Sequence, residues 1–404
     1  HPAVPRGRVA PAEPLPTRTT AVRALLATRA DAVRLRNRDA WLSTVDPTAM
    51  AFRAAQGRLF DALAAVPLSD WSYELDPAHA EEADPRLDRL HGRGWWAPRV
   101  TLHYRLTGYD RTPTAEPQHL TFVPRSGRWY FAADADFASV GRDTTRGLWD
   151  GGPVLVVRGR ASLVLGHPAS LGLMRTLTAD MDAAVPRVMA VWGGDWAARV
   201  AVLVPSSQAE LARIVGTDRD YGQIAAVATA ELTGAAGTHP VGDRVVINPA
   251  TFGRLGPLGR RVVLTHEVTH VATRGATGRA VPTWLVEGLA DYVGYRGVTV
   301  PYSVSATELQ TAVRAGQLPR ALPADRDFDG GNPELPQVYE QAWLAVRLLA
   351  SRYGEEGLLR FYRTVGRTGG PSAAAVEQAL HGLFGTDTAR FTADWRRDLS
   401  ARLG

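Results

Sequence analysis

His266, Glu267 and His270 stand together in the run His266-Glu267-Val268-Thr269-His270. On an α-helix, residues four apart lie on one face a turn from each other. The two imidazoles of this run can therefore reach one metal ion together, and Glu267 beside His266 can address a water at the same place. That is the equipment of metal-assisted hydrolysis, in which the ion activates water and a carboxylate moves its proton. Such a site needs a third ligand, and Glu287 is the candidate. It lies in Trp284-Leu285-Val286-Glu287-Gly288-Leu289-Ala290-Asp291-Tyr292, with residues 271–286 between it and His270. Positioning the three requires a helix over Arg260–Thr273, a turn through Arg274–Val281 and a second helix beginning near Pro282, a residue suited to a helix start. The second helix then carries Glu287 back toward the two histidines.

HEVTH followed by WLVEGLADY resembles the gluzincin clan of HExxH zinc peptidases, in particular the bacterial peptidase-MA-like proteins related to the M1 aminopeptidases. The resemblance implies a zincin-like domain that hydrolyses peptide bonds of a peptide or protein substrate, with one Zn2+ per chain held by His266, His270 and Glu287. It also implies a role for Asp291, four residues after Glu287, as the carboxylate that holds a ligand histidine through its other ring nitrogen, His266 being the expected partner. The run Val338-Tyr339-Glu340-Gln341-Ala342, ahead of a helix and Tyr353-Gly354, is similar to a Tyr-Glu-Lys-Gly run of M1 enzymes. On that likeness Tyr339 is expected to stabilise the oxyanion, although Gln341 and Ala342 stand where the family has Lys-Gly. The Gly-x-Met-Glu-Asn segment that anchors a substrate amine in that family is absent. In its place stands Gly222–Thr229, expected as an edge strand along which an extended peptide can pair. Endopeptidase action is accordingly expected over aminopeptidase action. The competing expectation is a noncatalytic cell-envelope binding protein with a structural or vestigial zinc site. An intact Glu267 favours hydrolysis, because holding a metal does not by itself require it.

The surrounding chain reads as α+β, with helices and an antiparallel sheet in a cone-like N-terminal domain, then a zincin-like domain with a small sheet and a mainly helical C-terminal part. Apolar residues recur at helical spacing from Thr20 to Ala65, interrupted at Pro47. Trp71–Leu75, Arg99–Leu106 and His119–Val123 then alternate as strands do, and Arg125-Ser126-Gly127-Arg128 has the residues of a hairpin turn. Helices followed by strands over residues 20–145 resemble the nuclear-transport-factor-2-like fold, whose members do many unrelated things. A polar, glycine-containing linker spans Gly141–Gly152. Residues 153–404 form the second domain: paired strands at Pro153–Val157 and Ala161–Leu165, a helix over Ala169–Val191, a buried strand at Val200–Pro205 and a helix capped near Ser206. Further strands are expected at Ile224–Glu231 and Arg244–Asn248. Residues 1–19, rich in Pro, Arg and Thr, read as a flexible segment left after removal of a signal or anchor.

Composition limits the partners. The chain has 404 residues, a formal net charge of +5 and no cysteine, so disulfides, thiol catalysis and Cys-type zinc sites are excluded. All 46 basic residues are arginine, a bias of GC-rich coding more than of phosphate recognition, and no nucleic-acid motif accompanies the charge. Nucleic acid is not an expected partner. No apolar stretch is long enough to span a bilayer. A secreted or envelope-associated bacterial protein is expected.

Overall fold

The computed structural model describes residues 17–81, 84–215, 225–233 and 239–404. The N-terminal segment through residue 16 and residues 222–224 of the expected edge strand lie outside that description. The chain divides into two compact units. One comprises residues up to Ala64 with Leu68–Tyr104 and Ala115–Thr145, and the other Ala65–Pro67, Arg105–Thr114 and Arg146–Gly404. The short stretches 65–67 and 105–114 thus cluster with the second unit, inside a span expected to belong wholly to the first domain.

In the first unit, helix α1 (Arg18–Arg34) starts where the Thr17 hydroxyl accepts the Thr20 backbone N–H, two residues ahead of the expected start. Two further helices follow, α2 (Arg38–Ser43) and α3 (Met50–Leu63). Strand β1 (Leu68–Ala80), the short helix α4 (Pro85–His91) and β2 (Pro98–Leu106) come next. Alternate residues of β2 are buried, namely Val100, Leu102, Tyr104 and Leu106, as expected of a strand with one face on a core. Beyond it, β3 (Thr114–His119) completes a sheet of order β1-β2-β3, while β4 (Thr121–Arg125) and β5 (Arg128–Ala133) form a separate antiparallel ribbon. The single strand expected over His119–Val123 is therefore two strands of two sheets, divided at Leu120. The hairpin expected at Arg125–Arg128 is present: those two residues pair, and Ser126 and Gly127 both take positive φ (47° and 78°), which a two-residue turn matching the strand twist requires. Val22, Leu26, Val100, Phe122 and Phe131 fill the interior.

The second unit opens with β6 (Leu155–Arg158) and β7 (Ser162–Gly166), an antiparallel pair. The long helix α5 (Leu171–Trp192) returns the chain to β8 (Val200–Val204), which lies parallel to β7. After α6 (Gln208–Val215), β9 (Ala226–Thr233) and β10 (His239–Ile247) complete a sheet of order β6-β7-β8-β10-β9. It is mixed, since β10 runs parallel to β8 and antiparallel to β9, and β9 is an edge. Every residue of β7 and β8 is buried, so these central strands read as unbroken apolar runs without alternation.

Helices then cover the sheet. After the single turn α7 (Pro249–Phe252), α8 (Pro257–Thr273) starts with Pro in its first turn and packs on α5. Helix α9 (Thr283–Tyr295) follows Pro282, and its first amide donates to Asp325 Oδ1 at 2.8 Å. Short α10 (Tyr302–Ser305) and α11 (Thr307–Arg314) lead to α12 (Leu335–Arg367), which breaks at Gly354, where φ is 75°. The chain ends in α13 (Ser372–Phe384) and α14 (Thr388–Leu403). One core joins these elements, with Leu264 and Val268 of α8, Leu285 and Leu289 of α9, and Val346 and Leu349 of α12 all buried in it. Helix α9 lies between α8 and α12, and Gly288 makes that approach possible: a Cβ there would lie 2.4 Å from the Ala342 carbonyl oxygen. Among the described residues no helix is long and apolar enough to cross a membrane.

Candidate metal centre

Helix α8 carries His266, Glu267 and His270, and its remaining buried residues explain their orientation. Leu264, Val268 and Ala272 anchor the helix in the core. His266 and His270, four residues apart, then project together from the adjoining face. Their Nε2 atoms lie 2.9 Å apart with the rings edge to face. Glu287 reaches them from α9, its Oε2 3.3 Å from each of the two Nε2 atoms. These three donors form a group whose ligand atoms all lie within 4.8 Å of one another. A tetrahedral ion with bonds of ~2.0–2.2 Å spaces its ligand atoms by about 3.3 Å. The observed separations match that spacing for the carboxylate and need a few tenths of an ångström of spreading between the imidazoles. Two imidazole nitrogens and a carboxylate oxygen therefore fit a small divalent cation.

Asp291, one turn beyond Glu287, places Oδ1 2.8 Å from His266 Nδ1. With that ring nitrogen committed to the carboxylate, Nε2 is the atom His266 presents to the centre. The cluster gathers three carboxylates, Glu267 buried and Glu287 and Asp291 partly so, around two imidazoles. Burial opposes charge on His266, but Asp291 and Glu287 outweigh it and carry the imidazole well above its usual range. Burial likewise works against the Glu287 carboxylate, yet His270 and His266 hold it far below the ordinary carboxylate range. Glu267 moves the other way: it is 6% exposed, and burial raises it despite both histidines and a backbone hydrogen bond from Ala228. The His266 and Glu287 directions express one property, an arrangement that favours positive charge at its centre.

The centre opens on a cleft of about 790 Å³. Its walls come from α8 (Val262, His266, Glu267), α9 (Asp291, Tyr295), α12 (Tyr339, Glu340, Trp343) and the Gly330–Pro336 loop. Tyr339 is on the wall, its ring centroid 6.4 Å from that of His266 and 5.4 Å from that of Phe328. Ala225 and Ala226, at the start of edge strand β9, line the cleft as well. At Ala228 the outward carbonyl accepts a hydrogen bond from Arg274 Nη2 (3.1 Å), while its N–H is turned to Glu267. Residues two apart in a strand direct their backbone groups the same way. The N–H and C=O of Ala226 therefore point away from β10 as well, in a residue that is 2% exposed.

All six residues singled out in the sequence thus meet in one place, with His266, His270 and Glu287 at the centre, Asp291 behind His266, and Glu267 and Tyr339 facing the cleft. Others entered without a signal of their own. Glu340 accepts the backbone N–H of Leu309 (2.6 Å) at the start of α11 and shares a hydrogen bond with Glu308. Burial and that second carboxylate push Glu340 up to about 8. Its position next to Tyr339 was the one available clue. Arg274, paired with Asp243 at 3.1 Å, and Trp343, on the cleft wall, were equally silent. Neither protein-family models nor curated proteins contain a match to this chain.

Proposed function

We propose that the second unit is a zinc-dependent peptidase, cleaving within peptide chains, with the cleft above α8 as its active site. The observation that carries this reading is the convergence of His266, His270 and Glu287 on one point with Glu267 buried beside them at the cleft floor. A centre built only to hold a metal needs the three ligands and their hydrogen-bond partners. It does not need a further, non-ligating carboxylate directed at the cleft.

His266, His270 and Glu287 would hold the ion, with Asp291 fixing His266. When bound, zinc supplies Lewis acidity, making water a better nucleophile near neutral pH and polarising a carbonyl. The residues of the chain do the rest. Glu267 accepts a proton from the attacking water as the water oxygen bonds to the scissile carbonyl carbon, and delivers that proton to the amine nitrogen as the C–N bond breaks. The Tyr339 hydroxyl donates a hydrogen bond to the carbonyl oxygen as negative charge builds there. An extended substrate would run along the cleft beside Ala225 and Ala226 of the edge strand β9. A cleft that takes an extended chain along its length supports endopeptidase action.

The test is metal analysis of the purified protein, followed by hydrolysis of a proteome-derived peptide library with and without a chelator. Amino-terminally acetylated peptides are included, since an aminopeptidase does not cleave them. About one zinc per chain with chelator-sensitive cleavage is expected. Stoichiometric zinc with no cleavage of any peptide would reject the enzyme in favour of a noncatalytic zinc protein.

A further inference from the structure

A second cavity, of about 420 Å³, adjoins the cleft and shares three wall residues with it: Tyr295, Ser305 and Trp343. Tyr295 and Trp343 pack at 4.5 Å between ring centroids, a common aromatic wall. Beyond that wall the cavity is lined by Tyr292, Tyr302, Arg296 and Arg347, among others.

The charges in this cavity do not cancel. Arg296 Nε is paired with Glu355 Oε2 at 2.8 Å, and Tyr292 donates to the same carboxylate oxygen at 3.1 Å. Glu355 is thereby committed. Arg347 has neither a hydrogen bond nor an ion pair among the described residues; its guanidinium lies 5.1 Å over the Tyr302 ring. The Tyr302 hydroxyl is itself buried without a hydrogen-bond partner. Half-buried guanidinium groups are ordinarily satisfied, because five donors taken from water need acceptors. Here a planar, bidentate-capable cation borders an aromatic cavity of a size that suits a side chain or a chain end.

Helix α12 sets the distance. Tyr339, Trp343 and Arg347 follow one another at four-residue steps, so they lie along one face, and Arg347 stands about 12 Å along the axis from Tyr339. An extended peptide covers that distance in about three or four residues.

We propose that this cavity is a substrate subsite for a carboxylate, carried by an Asp or Glu side chain or by the peptide's own C-terminus, with Arg347 as its specificity-determining residue. The proposal rests on the peptidase reading for its substrate class. Arg347 takes the carboxylate through its guanidinium fork, the aromatic wall covers the methylene stem, and the scissile bond lies three or four residues away in the cleft.

The experiment uses decapeptides identical except for a single Glu or Gln walked through each position, every one made as the C-terminal acid and as the amide. Binding to the zinc-loaded Glu267→Gln protein is measured by calorimetry, and cleavage by the wild type is measured in parallel. A charge-assisted pair predicts roughly tenfold tighter binding of the Glu peptide at one position, or of the acid over the amide. A Glu-over-Gln contrast identifies a side-chain carboxylate and an acid-over-amide contrast the chain end. In the double variant Glu267→Gln/Arg347→Gln the ratio falls to about one; because it is a ratio within one protein, partial loss of folding does not alter it. No contrast at any position, or a contrast that survives Arg347→Gln, overturns the subsite. Binding contrast without cleavage by the wild type would instead overturn the peptidase reading and leave the subsite standing.

Discussion

Asp291 Oδ1 lies 2.8 Å from His266 Nδ1, on the side of the ring opposite the nitrogen that faces His270 and Glu287. The contact joins α9 to α8 directly behind the candidate metal centre. It sets which nitrogen His266 offers and makes that nitrogen a stronger donor. Replacing Asp291 by Ala should weaken zinc binding by about 10–100-fold, as such outer contacts typically do. Competition with a chromophoric chelator measures this. Affinity equal to the wild type would mean that Asp291 is an incidental neighbour.

Glu267 is assigned proton transfer and no ligand bond. Glu267→Gln keeps its size and burial and should leave one zinc per chain while lowering peptide cleavage by at least about 10²-fold, the range general acid–base catalysis supplies. The two readings must be taken on the same sample. Loss of zinc together with activity would reassign Glu267 to holding the centre together.

Tyr339 shares the cleft wall with Glu267, on a different helix. If its hydroxyl stabilises the oxyanion, Tyr339→Phe removes one donor and should lower kcat by about 10²-fold with zinc content unchanged. A steady-state comparison showing unchanged kcat would reduce Tyr339 to an aromatic wall residue packed on Phe328.

Gly288 sits next to Glu287 and lets α9 approach α12. A methyl group there would face the Ala342 carbonyl oxygen at 2.4 Å and its carbon at 2.8 Å, with the Val346 side chain also in contact. Alanine is favoured over glycine in a helix by about 1 kcal/mol, but overpacking against a backbone costs roughly 1–3 kcal/mol. The clash is with a rigid carbonyl, so it outweighs the gain. Gly288→Ala should lower the unfolding midpoint in urea and, by displacing α9, reduce zinc affinity. A midpoint at or above the wild type would show that the helices separate at little cost.

What the sequence made legible follows from how local each signal is. The four-residue spacing of His266 and His270 determines a shared helix face whatever surrounds it, and Ser126-Gly127 allows few turns other than the observed one. The α+β layout was readable for the same reason, because apolar periodicity reports element type. The division at Leu120 was not, since alternation runs through it unbroken and only pairing partners distinguish β3 from β4. Longer-range relationships were out of reach in principle. Glu340 meets the start of α11 because of how α11 packs on α12, and neither helix carries a mark of that contact. Arg347 acquires meaning only from the cavity around it, and Glu355, which leaves it unpaired, lies beyond the break at Gly354.

Glu340 provides a pH prediction that does not depend on the metal. Its pKa, pushed up to about 8 by burial and the hydrogen bond to Glu308, compares with about 4.3 for an unfolded glutamate. Between these values the folded protein holds a proton that the unfolded chain has released, so the unfolded state binds fewer protons and stability falls as pH rises. The contribution of the protonated carboxyl is complete below about pH 4.3 and is lost as pH rises through about 8. In Glu340→Gln the amide oxygen can still accept the Leu309 N–H and the amide group can donate to Glu308, without titrating. The variant should therefore gain on the wild type with rising pH, being more stable relative to it at pH 9 than at pH 5. Urea midpoints at pH 5, 7 and 9 provide the comparison. A difference between the two proteins that stays constant across that range would show that Glu340 is ionised throughout, held by the α11 amides alone.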